Sequence, residues 1–290
     1  MIDFTNCEQK KKTYGGANGN KISIIFDNEL YMLKMPCIAN KNDNLSYSNS
    51  TISEYLGCNI FNMLGVEAQT TLLGTYKYHD TTKIAVACKD FTNSETVFLD
   101  FASVKNSVLD SSSNGFGTKI EDILYAIDNQ KNVDQKLLRD RFWDMFVIDA
   151  FIGNWDRHNG NWGFIYNQRT DHMSLAPVFD CGSSLYPQVD EELMKKILSS
   201  TKEMNARIYD IPTSSILFNG HRGNYFEILT AHKIKDLDEA IERIIPKIKL
   251  EEINTLIDSV EYITDLHKKF LKTMLKKRKE LILDVAIKQK

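Results

Sequence analysis

Residues 137–152, LLRDRFWDMFVIDAFI, are apolar on nearly every side beyond Phe142. Leu138, Phe142, Met145, Phe146, Ala150 and Ile152 recur at helical spacing, and a helix that is greasy all round is stable only at the centre of a sizeable domain. The stretch that follows, IGNWDRHNGNWGF at 152–164, reverses that character by crowding Asp156, Arg157, His158, Asn159 and Asn161 around Trp155 and Trp162. A chain of this design must bury the helix and has a reason to keep a polar cluster at its end. At 290 residues it is long enough for two lobes with a cleft between them.

The first ninety residues read mostly as strands. Ile22, Ile24 and Phe26 alternate with polar residues, Asp27-Asn28 supply a two-residue turn, and ELYMLKMP returns, which predicts a β-hairpin. Around Ser48 to Leu64 the period changes to four, with Ile52, Leu56, Ile60 and Leu64 on one face. Ser50 or Thr51 is available as a cap and Gly65 as a stop. AQTTLLGTYKY and KIAVACKDF predict two more strands. From Asn93 onward the reading is mainly helical, apart from VKNSVLDSSSNGFGTK, whose Ser, Asn and Gly density marks a loop. The last forty residues close the chain with an amphipathic pattern running from Ile253 to Met274. The expectation is an α+β, two-lobed protein-kinase-like fold. Residues 1–92 would form a small β-rich N-lobe with one helix, and residues 93–290 a larger, mainly helical C-lobe.

Within the polar stretch Asp156 and Asn161 stand five apart, and LAPVFDCGSSL then brings Asp180 to the end of a short apolar strand, before Cys181-Gly182. Phosphoryl transfer from ATP needs one carboxylate to take the hydroxyl proton, and an amide oxygen and a second carboxylate to hold Mg²⁺. An Asp-x-x-x-x-Asn loop followed by Asp-x-Gly supplies all three. The same chemistry needs a cation on the α/β-phosphates. Lys34 sits in the returning strand on the face of Leu30 and Met32, where an ammonium is costly without a partner, and Glu54, on a helix face with Cys58 and Phe61, is a candidate for that partner. Ahead of the hairpin, TYGGANGNK offers Gly15, Gly16 and Gly19, whose backbone N–H groups could approach phosphate oxygens. Taken singly, each of these residues has a plainer use: Asp156 and Asn161 in turns, Asp180 as a helix cap, Lys34 reaching out from an edge strand, Glu54 solvated in a first helical turn. Five of them in the required order and contexts argue for the chemistry. His158 has three uses open to it: orienting the Asp156 carboxylate, meeting the transferred phosphate, or packing in the loop. Trp155 and Trp162 are read as lobe packing.

The remaining composition mostly excludes. Cys7, Cys37, Cys58, Cys88 and Cys181 are scattered with no Cys-x-x-Cys pair, which argues for reduced thiols and against a disulfide framework or a zinc cluster. A net charge of −3 gives no reason to expect nucleic acid, and the basic run KKFLKTMLKKRKE at 268–280 interleaves with Phe270, Met274 and Leu275 as a solvated helix face does. No apolar run approaches the ~20 residues of a membrane span, and the start lacks the pattern of a secretory signal, so a cytoplasmic location is expected.

TYGGANGNK, YMLKMP, TISEYLGCNIFNMLG, DRHNGNWGF and LAPVFDCGSSLYP together resemble the HipA-type serine/threonine kinases of bacteria over most of residues 13–190. The resemblance implies ATP with Mg²⁺ as cofactor, autophosphorylation, and transfer to serine or threonine of a protein substrate. By position, Gly16, Ala17, Asn18, Gly19 and Lys21 would line the phosphates, Lys34 would hold the α/β-phosphates and Glu54 would anchor it. Asp156 would be the base with His158 beside it, and Asn161 and Asp180 would bind metal. Cys88, Lys89 and Asp90 would form a hinge meeting adenine through backbone groups. It also suggests an exported, pro-inflammatory role in virulence. The longer N-terminal region of full-length HipA toxins has no counterpart here, which puts an antitoxin partnership in doubt, and no Ala-Pro-Glu motif follows Asp180. Two rival readings stand: a phosphatidylinositol-type lipid kinase, because GNWDRHNGN and FDCG also resemble that family's loops, and a nucleotide-binding pseudokinase that serves as an interaction module.

Overall fold

The computed structural model describes residues 2–15, 21–36, 49–109 and 113–289. Two short strands, β1 (Ile2–Asp3) and β2 (Glu8–Lys10), precede the hairpin of β3 (Lys21–Phe26) and β4 (Glu29–Lys34). Its turn residues Asp27 and Asn28 both have positive φ, 48° and 63°, the turn that matches the natural strand twist. After helix α1 (Ser50–Met63) come β5 (Thr71–Tyr78) and β6 (Thr81–Lys89), and the six strands form one sheet in the order β1-β5-β6-β4-β3-β2. The sheet curls around a small core of Phe4, Ile24, Tyr31, Leu33, Met35, Tyr76, Ala85 and Ala87. Alternation along β4 therefore buries Tyr31 and Leu33 on one face and sends Met32 and Lys34 to the other.

Helix α1 differs from expectation at its start: Asn49 is the N-cap residue and makes no side-chain cap bond, so Ser50 and Thr51 lie inside the helix. Gly65, at φ 78°, ends it as the sequence implies. Ile52, Leu56, Ile60 and Leu64 belong to the large core shared with the helices that follow, so α1 is packed on the helical lobe as well as beside the sheet.

Beyond residue 93 the chain is mainly helical, as expected, but it also carries an unread three-stranded sheet of β7 (Thr96–Asp100), β8 (Gly163–Asn167) and β9 (His172–Leu175). Strands of four or five residues carry too short a pattern to register by alternation. A two-stranded hairpin of β10 (Leu217–Phe218) and β11 (His221–Arg222) lies further on. The expected loop at 104–119 is partly helix as well: α2 (Phe101–Val108) is started by Asp100, whose carboxylate accepts the Ser103 N–H at 2.7 Å. Then come α3 (Ile120–Asn129) and the central α4 (Gln135–Ile152), capped by Asp134 and terminated by left-handed Gly153. Eleven of its side chains are buried, from Leu138 to Ile152. Shorter helices α5 (Glu191–Ser199), α6 (Thr201–Asn205), α7 (Tyr225–Thr230), α8 (Lys235–Ile244) and α9 (Leu250–Asp258) surround it, closed by α10 (Asp265–Arg278) and α11 (Asp284–Gln289). The amphipathic pattern from Ile253 to Met274 is broken at Thr264, which caps α10 through the His267 N–H. Among the described residues no helix is long and apolar enough to cross a membrane.

Candidate active site

The two sheets and the end of α4 enclose a cleft of about 990 Å³, at the upper end of small-molecule sites. Lys21, Lys34, Glu54, Asp90, Asp156, His158, Asn161 and Asp180 all line it. Residues from six separate stretches of the chain thus converge on one cavity.

At its centre is a three-residue contact. The Lys34 ammonium stands 3.1 Å from Glu54 Oε1 and 3.1 Å from Asp180 Oδ1, and the Asp180 backbone N–H donates to Glu54 Oε1 at 3.1 Å. Burial opposes the charge on Lys34, but Asp180 and Glu54 outweigh it and hold the ammonium well above its ordinary range. Glu54 is only 1% exposed and so needs this cation. Asp180 takes a left-handed backbone, φ 56°, which turns its N–H toward Glu54. No strand ends at Asp180: β9 stops at Leu175, and Val178 pairs singly with Ala68. Helix α1 can lie this close because residue 57 is glycine, where a Cβ would stand 2.5 Å from Cys181 Cβ.

The loop after α4 is tied from within. Asn154 Oδ1 accepts the Asp156 N–H at 3.1 Å, the Asp156 carbonyl accepts the His158 N–H at 2.9 Å, and Asn161 Nδ2 donates to that same carbonyl at 2.9 Å. His158 Nδ1 accepts the Gly160 N–H at 3.0 Å, so its ring shapes the loop. Trp162 stacks on Phe101 at 4.0 Å between centroids and is 3% exposed, a packing residue as read from the sequence. Burial raises the Asp156 carboxyl above the usual aspartate value, and His158, Arg222 and Arg157 offset that only in part. Asp180 moves the other way, lowered chiefly by Lys34. Two carboxylates in one cleft are thereby set apart in proton affinity.

Sequence reasoning missed Arg157. Its guanidinium pairs with buried Asp149 of α4, Nε to Oδ2 at 3.0 Å, and donates to the Asn161 carbonyl at 2.9 Å, to the Phe179 carbonyl and to Cys181 Sγ at 3.4 Å. It therefore joins α4, the Asp156 loop and the Asp180 segment. Also missed were Phe98 and Phe179, whose rings meet each other and Phe91, at the end of KIAVACKDF, at 5.1–5.9 Å and line the cleft with Met32 and Val86 as an apolar wall. Phe179 had a signal in its place beside Asp180; Phe98 had none, since β7 was unread.

Of the hinge residues, Cys88 and Lys89 do not line the cleft. Cys88 is fully buried, the Lys89 N–H and carbonyl are taken by the Thr70 carbonyl and Gln69 Nε2, and the Asp90 N–H is taken by the Leu30 carbonyl. The Asp90 side chain instead receives Lys12 at 2.6 Å and the Tyr14 hydroxyl at 2.7 Å, fastening the strand before the glycine-rich loop to the cleft edge. Gly16, Ala17, Asn18 and Gly19 lie outside the described residues; Lys21, at the loop's far end, donates to the Gly15 carbonyl at 2.9 Å.

For a metal, the fitting donors are the Asp180 carboxylate and the Asn161 amide oxygen, whose amide nitrogen is already spent on Asp156. Hard oxygen donors of this kind suit Mg²⁺, which keeps water and phosphate oxygens as its other ligands. Among the described residues no group of three His, Cys, Asp or Glu side chains is placed to hold a metal alone.

Comparison with known proteins places this geometry. Residues 13–256 match the HipA-like C-terminal domain. The serine/threonine-protein kinase CtkA of Helicobacter pylori strain J99 is 48% identical over 287 residues, covering 98% of this chain and 87% of that protein. The crystal structure of a Helicobacter pylori proinflammatory kinase CtkA superposes with a TM-score of 0.94, covering 99% of this chain and 97% of the other. HipA of Shewanella oneidensis MR-1, solved with HipB and operator DNA, shares the fold at 14% identity and a TM-score of 0.51, over 97% of this chain and 69% of that one. The chain belongs to the HipA-like C-terminal domain family and has its two-lobed, kinase-like fold.

Proposed function

We propose that this chain is an ATP-dependent serine/threonine protein kinase that also phosphorylates itself, with lobes dividing near residue 92. The observation that carries the reading is the Lys34–Glu54–Asp180 contact in the same cleft as Asp156 and Asn161. The name of the 48% identical relative supports it.

In this reading adenine enters the slot of Phe91, Phe98 and Phe179, and Lys34, steadied by Glu54, meets the α/β-phosphates. Asn161 and Asp180 would hold Mg²⁺, which supplies charge neutralisation at the phosphate oxygens. Lys34 and Asp180 neutralise each other at 3.1 Å; Mg-ATP brings an anion for the first and a cation for the second, so neither loses its counter-charge. Asp156 accepts the proton of a serine or threonine hydroxyl while its oxygen bonds to the γ-phosphorus and the β,γ-bridging P–O bond breaks, with ADP departing. Burial lifts the proton affinity of Asp156 toward that task, and Lys34 keeps Asp180 ionised. His158 is assigned the shaping of the loop through Gly160.

The test is incubation with labelled Mg-ATP, followed by mass spectrometry of the protein, with parallel reactions on protein acceptors and on phosphoinositide vesicles. Phosphoserine or phosphothreonine, lost in Asp156→Asn, is expected. Labelling of the vesicles alone would move the assignment to a lipid kinase. Undiminished labelling in Asp156→Asn would overturn the role of that residue, and nucleotide binding without any transfer would favour the pseudokinase reading.

A further inference from the structure

Phe116 lies in the segment whose composition reads as loop, yet it is held tightly. Asn159, fully buried in the loop between Asp156 and Asn161, donates to the Gly115 carbonyl at 2.8 Å and the Gly117 carbonyl at 2.9 Å. The fully buried Lys105 donates to the same Gly117 carbonyl at 2.6 Å. At Gly115 a Cβ would stand 1.8 Å from the Ala102 carbonyl oxygen, so the segment sits hard against α2. Burying an ammonium and an amide to fix two carbonyls is a costly way to place a surface loop. What it places is the Phe116 ring, 51% exposed, on the cleft wall, with its edge 3.1 Å from where a Cβ on Gly160 would be.

The chain continues from there into a cationic row. The Leu217 N–H donates to the Thr118 carbonyl and the Thr118 hydroxyl to the Ser215 carbonyl, both at 2.8 Å, stitching the segment to the β10–β11 hairpin. Lys119 is then bridged to Leu217, and Leu217 is paired with Arg222, so three residues stand side by side in one cross-strand row. Directly paired residues project from the same face of a sheet, which puts the Lys119 and Arg222 side chains on one face, on either side of Leu217. Both are exposed, as is His221 next to them. Arg222 also reaches the Trp155 carbonyl, one residue before Asp156. Asp122, on the following helix, stands 3.9 Å from the Lys105 ammonium.

We propose that Phe116, Lys119 and Arg222 form an acceptor-side rim that selects a protein segment with an acidic residue and a bulky apolar residue close to the phosphorylated serine or threonine. The apolar side chain packs on Phe116 while the carboxylate meets the Lys119–Arg222 row, which holds the acceptor hydroxyl over Asp156. The nucleotide slot of Phe91, Phe98 and Phe179 is a separate part of the cleft, so the rim acts on the acceptor's KM. This inference rests on the protein-kinase reading above.

It is tested with an oriented peptide library carrying a fixed central serine or threonine, labelled Mg-ATP, and the variants Phe116→Ala, Lys119→Glu and Arg222→Gln. The wild-type chain should favour acidic and bulky apolar neighbours. Lys119→Glu, which touches nothing on the Asp156 loop, should raise KM for acidic peptides roughly fivefold, the scale of one exposed charge contact, with its affinity for a non-hydrolysable ATP analogue unchanged by calorimetry. Arg222→Gln, which keeps hydrogen-bonding capacity toward Trp155, should weaken the acidic preference likewise. Phe116→Ala should erase the apolar preference, with KM up roughly tenfold. Preferences that survive all three substitutions, or self-labelling with no library member labelled, overturn the rim and leave the kinase reading standing. Failure to transfer phosphate to any acceptor, itself included, overturns both.

Discussion

Replacing Arg157 by Gln is the sharpest test of what organises the cleft. Arg157 is 6% exposed and bonds Asp149, 1% exposed, at 3.0 Å, so the substitution strands a buried carboxylate that otherwise accepts from Asn154 Nδ2 at 2.9 Å. Breaking a buried pair from one side costs about 3–5 kcal/mol. An unfolding entropy of about 2.1 cal/mol/K per residue over 290 residues is roughly 0.6 kcal/mol/K, so Tm should fall by roughly 5–8 °C. Removing both charges with Asp149→Leu and Arg157→Met together should restore most of that loss, because two packed apolar groups replace an ion pair at little net cost. Activity should not return, since the double variant still lacks the donors to the Asn161 and Phe179 carbonyls that hold the Asn161 and Asp180 side of the cleft in place. Thermal unfolding and initial-rate phosphorylation on the same three samples decide it. A double variant with wild-type turnover, or an Arg157→Gln variant whose Tm moves by less than about 1 °C, would refute the reasoning.

Three further outcomes follow from the cleft. Burial raises the Asp156 carboxyl, and under the proposed mechanism Asp156 must be ionised to act as base, so the acid limb of kcat/KM should lie above the ordinary aspartate value of 3.8 and climb further in Arg222→Gln, which removes one of the cations that lower it. An acid limb that does not respond to Arg222→Gln would contradict this. The same shift makes Asp156 costly to the fold: a carboxyl with a raised folded-state pKa contributes stability only while protonated and loses it as pH rises through that value. Asp156→Asn should therefore have a higher Tm than the wild type at pH 7, with the difference vanishing as pH falls below 3.8, measured by thermal melts across pH. Glu54→Gln removes the carboxylate at 3.1 Å from Lys34 and leaves Asp180 to hold the ammonium alone, so kcat/KM for ATP should fall about 100-fold with the chain still folded; a change under threefold would reject the anchoring role.

The parts of the site that were legible in the sequence are those where one side chain suffices to signal a chemical need. Lys34 on an apolar strand face and Glu54 on an apolar helix face each advertise a missing partner, and the structure pairs them. The hairpin was legible because Asp27-Asn28 tolerate positive φ. What stayed hidden depends on distant segments meeting. Asp149 inside the apolar run reads as an ordinary helix charge until Arg157 is seen against it. The ring slot draws Phe91, Phe98 and Phe179 from three places in the chain, and the hinge failed to include Cys88 and Lys89 because their strand is paired on both sides. The stretch 104–119 reads as a loop from its Ser, Asn and Gly content; the buried Asn159 and Lys105 that hold its second half are partners that composition cannot show.

The stretch from Asp156 to Gly160 is built on a tight turn. The His158 N–H returns to the Asp156 carbonyl, so the chain turns tightly and successive side chains alternate between the cleft and the interior. Asp156, His158 and Gly160 line the cleft, while Arg157 and Asn159 are buried beneath it. The two inward residues point to different tasks. Arg157 fixes the Phe179 carbonyl and so the approach to Asp180, and Asn159 fixes the Gly115 and Gly117 carbonyls and so the Phe116 rim. Six residues from Asp156 to Asn161 thus present one carboxylate to the cleft and hold the Asp180 approach and the Phe116 segment in register from below.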